Sequence, residues 1–166
     1  MTPAWGDFLR NPEKLSGLYE NPSSIEPLVL HSVYLDRLGP TITLRLSTTG
    51  LPDRMPTEWL AAECDRFEFH LQFLDIADLS MTRARFPASI SVDVVARELH
   101  RIRVDVLGGS THLGFSSHRS VTIGRLSAWN SRAPEEQPIH HYLSPLDRRL
   151  HSAPPDTWKK NYYGRI

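Results

Sequence analysis

A chain of 166 residues and 18.9 kDa has room for one domain and excludes two large ones. Its 40% hydrophobic and 23% charged residues suffice for a closed core and argue against global disorder, and 19 basic residues balance 19 acidic ones, so no chain-wide field selects nucleic acid or an anionic membrane. Cys64 has no second cysteine to pair with, no apolar run approaches the roughly 18 to 20 residues of a membrane span, and residues 1 to 10 lack the charged-then-apolar order of a signal peptide; a soluble, reduced, cytoplasmic protein is expected.

The chain opens on helical spacing in two short pieces. Trp5, Phe8 and Leu9 share one face; Asn11 then stands where it can cap a second piece, with Pro12 at its first position, Glu13 in its first turn and Leu15, Leu18 and Tyr19 on its apolar side. Residues 21 to 24, Asn-Pro-Ser-Ser, stop it. The period then changes to two. Val33 and Leu35 alternate with Ser32, Tyr34 and Asp36, Gly39-Pro40 supplies a turn, and Ile42, Leu44 and Leu46 alternate with Thr41, Thr43 and Arg45, which predicts an antiparallel hairpin with one polar face.

Two prolines make residues 51 to 56 a loop before Trp59, and residues 58 to 62 have length for one helical turn. Phe67, Phe69, Leu71 and Phe73 against Glu68, His70 and Gln72 form the clearest strand, and a fourth strand is expected near residues 79 to 84. Ile90, Val92 and Val94, then Ile102, Val104 and Val106, predict another pair, closed by Gly108-Gly109; Leu113 with Phe115 and Val121 with Ile123 add two short strands. Strands this closely spaced, without helices between them, exclude a doubly wound parallel sheet, whose crossovers are long. The expected fold is α+β, mainly antiparallel β: a short N-terminal helix packed on the Phe67 to Phe73 row of a sheet of about seven or eight strands.

Composition shifts after Trp129. Residues 130 to 166 hold six basic residues against four acidic, and prolines at 134, 138, 145, 154 and 155 interrupt every candidate element except residues 147 to 150, so residues 1–129 read as the domain and 130–166 as a Pro-rich basic tail, poorly ordered and contributing little to folding. Trp158, Tyr162 and Tyr163 beside Lys159 and Lys160 have the residue types of a short docking or nucleic-acid element, although nucleic acid is not the expected partner.

No Gly-rich phosphate loop, HExxH helix, GxSxG elbow or paired-cysteine motif occurs. His140, His141 and His151 are the densest histidine group, but neighbours on an extended chain point apart, so no metal and no cofactor is expected. Cys64 reads as a small buried thiol, and Glu63, Asp65, Glu68, Asp75 and Asp78 as a solvated carboxylate surface around the third strand.

The stretch His31-Ser32-Val33-Tyr34-Leu35-Asp36-Arg37, followed by residues 39 to 46, Gly-Pro-Thr-Ile-Thr-Leu-Arg-Leu, resembles the signature hairpin of the immunity protein 50 family of bacterial polymorphic-toxin systems. Trp5 with Leu18-Tyr19, the Pro56-Thr57-Glu58-Trp59 loop, residues 73 to 79 (Phe-Leu-Asp-Ile-Ala-Asp-Leu) and the closing segment from Val121 to Trp129 resemble the same pattern in the same order. The resemblance covers about residues 5 to 129 and implies a small protein that binds a cognate toxin domain and blocks it without catalysis. Binding hot spots favour Tyr, Trp and Arg. Tyr34, Asp36, Thr43 and Arg45 share the polar face of the first hairpin, and Trp59, Glu63, Asp75 and Asp78 are further candidates. A small-molecule-binding or hydrolytic β domain is the alternative, and gene neighbourhood separates the two: a large secreted toxin next door supports immunity, a metabolic operon the alternative.

Overall fold

The computed structural model describes residues 3–21, 25–132, 139–144 and 148. Its elements are a 3-10 turn at Trp5–Phe8, helices α1 (Glu13–Ser16) and α2 (Thr57–Ala61), and strands β1 (Leu28–Asp36), β2 (Thr41–Thr48), β3 (Arg66–Phe73), β4 (Ala77–Thr82), β5 (Ala88–Ala96), β6 (Arg101–Gly108), β7 (Thr111–His118), β8 (Val121–Trp129) and β9 (His141–Tyr142). The strands form one antiparallel sheet in the order β4-β7-β6-β5-β1-β2-β3-β8-β9. The expected mainly antiparallel α+β architecture is therefore the observed one, with one strand more than the sequence pattern predicts.

The sheet bends at β1 and β5, which pair only from Leu28 to Leu30. Beyond that corner its halves face each other and share a core. Ile42, Leu44, Leu46, Phe67, Phe69, Leu71 and Phe73 come from one half, Val94, Val104, Val106 and Phe115 from the other, and all are fully buried. Phe73 meets Phe115 edge to face at 5.0 Å, and each fully buried side chain of this size contributes about 1.5 to 3 kcal/mol.

The N-terminal segment runs from one half of the sheet to the other. Ala4 bridges Asp93 of β5, Leu9 bridges Val121 of β8, and Trp5 stacks on Phe69 at 5.5 Å, so the expected docking on the phenylalanine row is observed. Asn11 does not cap α1 with its side chain. Its amide instead donates to the Ile123 carbonyl at 2.7 Å and accepts from the Ile123 N–H at 3.0 Å, completing the backbone pairing along β8 where β9 does not reach.

The ninth strand comes from the segment read as a tail. His141 and Tyr142 pair with Ala128 and Ser127, Tyr142 is fully buried, and Arg148 clasps the strand through the Tyr142 and Leu143 carbonyls and Glu58 Oε1. The boundary at Trp129 thus does not mark the end of the sheet: an aromatic ring midway between prolines 138 and 145 finds an open edge of β8, which outweighs the low regularity of its flanks. The Trp158 to Tyr163 group and His151 lie outside the described residues.

Candidate protein-binding face

The outer face of β1, β2, β3 and β8 is built by register. Ser32 lies opposite Arg45, Tyr34 opposite Thr43 and Asp36 opposite Thr41; on the other side of β2, Arg45 faces His70 and Thr43 faces Gln72; across β3, Glu68 faces Ser127 and Gln72 faces Thr122. Directly opposed residues point to the same side of a sheet, so Tyr34, Asp36, Thr43 and Arg45 do share one face. Two β-bulges add to it. The register slips between Leu30 and Ser32 and between Glu68 and His70, so His31 and Arg125 are supernumerary. His31 Nε2 and Ser47 Oγ share a hydrogen bond at 2.7 Å, and Arg125, at φ 48°, bears on His70 while its neighbour Leu126 enters the core.

This face is polar but largely dry. Glu68 is 0% and His70 1% exposed, and Thr43, Ser47, Arg125, Ser127 and His140 are buried as well. Glu68 therefore leaves the solvated carboxylate surface expected from the sequence: β3 is flanked by β2 and β8, and its outward side chains are enclosed by those of both neighbours. Arg45 Nη2 stands 3.0 Å from Glu68 Oε1 as an ion pair without hydrogen-bond alignment, and its side chain keeps 23% exposure. Burial pushes the Glu68 carboxyl up, against the Arg45 guanidinium, which pulls it down. Burial, with Arg125 and Arg45 nearby, lowers His70 to about 3, and burial with Arg45 lowers His31 and His140 to about 4. His140 is therefore neutral at neutral pH; it shares a hydrogen bond with Ser127 at 3.0 Å and stacks on Trp129, and its 3.7 Å approach to Glu68 is a contact of a neutral ring.

The face grades toward solvent at the hairpin end, where Tyr34, Asp36 and Gln72 are half-buried. Asp75 joins that end, because the Ile76 N–H donates to the Pro40 carbonyl at 2.8 Å and sets the β3–β4 link beside the turn. Asp75 is exposed and paired with Arg101 at 2.8 Å; Asp78 is exposed farther along, in the edge strand β4. Glu63 is exposed at the opposite end, after α2. Trp59 is 1% exposed with its ring 5.9 Å from that of Phe67, a core side chain rather than a surface anchor: α2 is a single turn whose apolar residue has the core beneath it. Cys64 is buried, and burial raises its thiol to about 11.

Tyr34, Asp36, Thr43 and Arg45 were legible from alternation alone. His31, Glu68, His70, Arg125, Ser127 and His140 were not, since bulges and two-sided burial leave no mark in a period-two pattern.

The family model for Immunity protein 50 matches residues 11–128, from the residue that holds Ile123 to the one that pairs with His141. The chain belongs to the immunity protein 50 family. The match takes in the whole polar face of β1, β2, β3 and β8, and leaves the Trp5 turn and β9 as additions at its two ends. No curated protein and no solved structure matches the chain. Among the described residues no helix is long and apolar enough to cross a membrane.

Proposed function

We propose that this immunity protein acts in the bacterial cytoplasm by binding and neutralising the cognate toxin domain of a polymorphic toxin system, without catalysis. The observation that carries the reading is the placement of Tyr34, Asp36, Thr43 and Arg45 on one face within the family-matched segment. Tyr34 supplies an aromatic anchor with a polar tip, Arg45 a guanidinium fixed at its base by Glu68, and Asp36 with Asp75 a negative rim at the turn. A pre-positioned guanidinium loses little freedom on binding.

The test is affinity for the toxin encoded beside this gene, with protection of cells that express it. Tyr34→Ala is expected to weaken binding by about 2 kcal/mol, roughly thirtyfold, while leaving the thermal midpoint near its original value. Arg45→Ala is expected to lose at least as much, with folding checked separately because Glu68 loses its partner. Unchanged affinity in a folded Tyr34→Ala variant moves the contact off this face; failure of the intact protein to bind or protect against the neighbouring toxin refutes the inhibitor reading itself.

A further inference from the structure

In the dry part of the polar face, Arg45 is the charged side chain that still reaches water. It keeps 23% exposure, whereas Glu68 and Arg125 are buried. His31, His70 and His140 around it are neutral, held so by burial and by the guanidinium groups nearby. Glu68 balances the charge of Arg45 but not its surface, so a partner laid on β1, β2 and β3 meets the guanidinium and not the fully buried carboxylate. The fork of N–H donors on that guanidinium is poorly used. Nη2 approaches Glu68 Oε1 at 3.0 Å without alignment, and the buried Nε has no hydrogen-bond partner among the described residues. Solvent hydrates the rest. A partner that covers the face removes this water, and a charged donor left without acceptors costs more than a neutral one.

We infer that the toxin seats a carboxylate, the side chain of an Asp or Glu, on Arg45. The inference rests on the inhibitor reading of this face and names what the partner brings to it. A carboxylate supplies acceptors and the opposite charge together, and it matches the planar fork of a guanidinium; a backbone carbonyl supplies acceptors alone. The surroundings leave room for it. Asp36 lies opposite Thr41, four residues along β2 from Arg45, about 13 Å away at strand spacing, and Asp75 at that end is already paired with Arg101. Glu68 is the carboxylate close by, and burial pushes its carboxyl up toward the neutral form, which weakens its repulsion of an incoming one. Tyr34 stands opposite Thr43, one diagonal step from Arg45 and about 7 to 8 Å off, within reach of the residue that carries the carboxylate.

The experiment is a set of double-mutant cycles with the toxin encoded beside this gene as the probe. Each surface Asp and Glu of the toxin is changed singly to its amide, and affinity is measured against the wild-type chain and against Arg45→Gln/Glu68→Gln, which leaves no buried charge unbalanced. One toxin amide is expected to bind the wild type at least about tenfold more weakly and to cost the double variant nothing further. Arg45→Glu, paired with the same toxin position changed to Lys, is expected to recover binding that either charge reversal alone abolishes. The scan against the wild type needs no change in this chain, so it decides the matter even where a variant fails to fold. If the wild type binds but no toxin carboxylate is worth about tenfold, or every cycle couples by less than about twofold, the carboxylate is refuted and the inhibitor reading stands. If the wild type does not bind the toxin, the inhibitor reading falls and takes the carboxylate with it.

Discussion

Strands β3 and β6 both alternate large apolar residues with charged ones, and the two sheet halves treat those charges in opposite ways. On β6 the outward residues Arg101, Arg103 and Asp105 keep a quarter to a third of their side chains in water and pair across the surface: Arg101 with Asp75 at 2.8 Å, Arg103 with Asp105 at 3.5 Å, His112 with Asp105 at 3.0 Å. Gly114 opposite Asp105 makes room, since a Cβ there would lie 2.5 Å from Arg103 Nη2. On β3 the outward Glu68 and His70 are desolvated, with one partly exposed guanidinium against the carboxylate and, among the described residues, no hydrogen-bond partner for His70 Nε2. Water screens the first set and makes each pair nearly neutral to stability; its absence makes the second set depend on one another. The half that binds in the proposed function is the dry one, where charges are fixed before a partner arrives.

The comparison breaks first if the shared core is misassigned. Phe69→Ala removes a fully buried ring stacked on Trp5 and is expected to cost about 3 to 5 kcal/mol in chemical denaturation; a loss below about 1 kcal/mol would mean that the inner face of β3 is not the core. Next, Glu68→Ala is expected to cost about 2 kcal/mol, less than the usual penalty for breaking a buried pair because Arg45 retains a route to water.

Acid is the third probe. In the unfolded chain His70 takes up a proton near pH 6.5, whereas in the fold it stays neutral down to about 3. The unfolded state binds more protons across that window, so this contribution is complete above pH 6.5 and is lost as pH falls toward 3. His31 and His140 add losses of the same sign down to about 4, and Glu68, whose carboxyl is raised above 4.5, adds one of opposite sign that weakens the fold as pH rises. His70→Gln is therefore expected to flatten the decline in stability between pH 6.5 and 4, read from denaturation midpoints at each pH; an unaltered decline would place His70 in water. The smallest effect belongs to the wet half, where Asp105→Ala is expected to change stability by less than about 1 kcal/mol and to lose even that in high salt.

The rows Ile42-Leu44-Leu46, Phe67 to Phe73 and Ile102-Val104-Val106 were readable because a strand that buries one face writes its burial into every second residue. Tyr34 and Arg45 were readable as neighbours for the same reason. Glu68 was misplaced because alternation reports which side a residue faces, and not what stands above that side. His31 and Arg125 depend on one-residue insertions in the ladder, which change no residue type. Asn11 carries the signal of a helix cap and spends its amide on a strand more than a hundred residues away, and Tyr142 looks like loop sequence because two residues are too few to show a period.

The reach from Asn11 to Ile123 decides when the fold can close. The amide that seals the side of the sandwich and the backbone it seals are 112 residues apart. During synthesis Leu9 and Asn11 emerge long before β8 exists to receive them, and until then this edge of the sandwich is not sealed, although Phe69 of β3 is already available to Trp5. Under the proposed function, the order in which inhibitor and toxin are translated would then matter alongside affinity, because the fold closes only after β8 has left the ribosome.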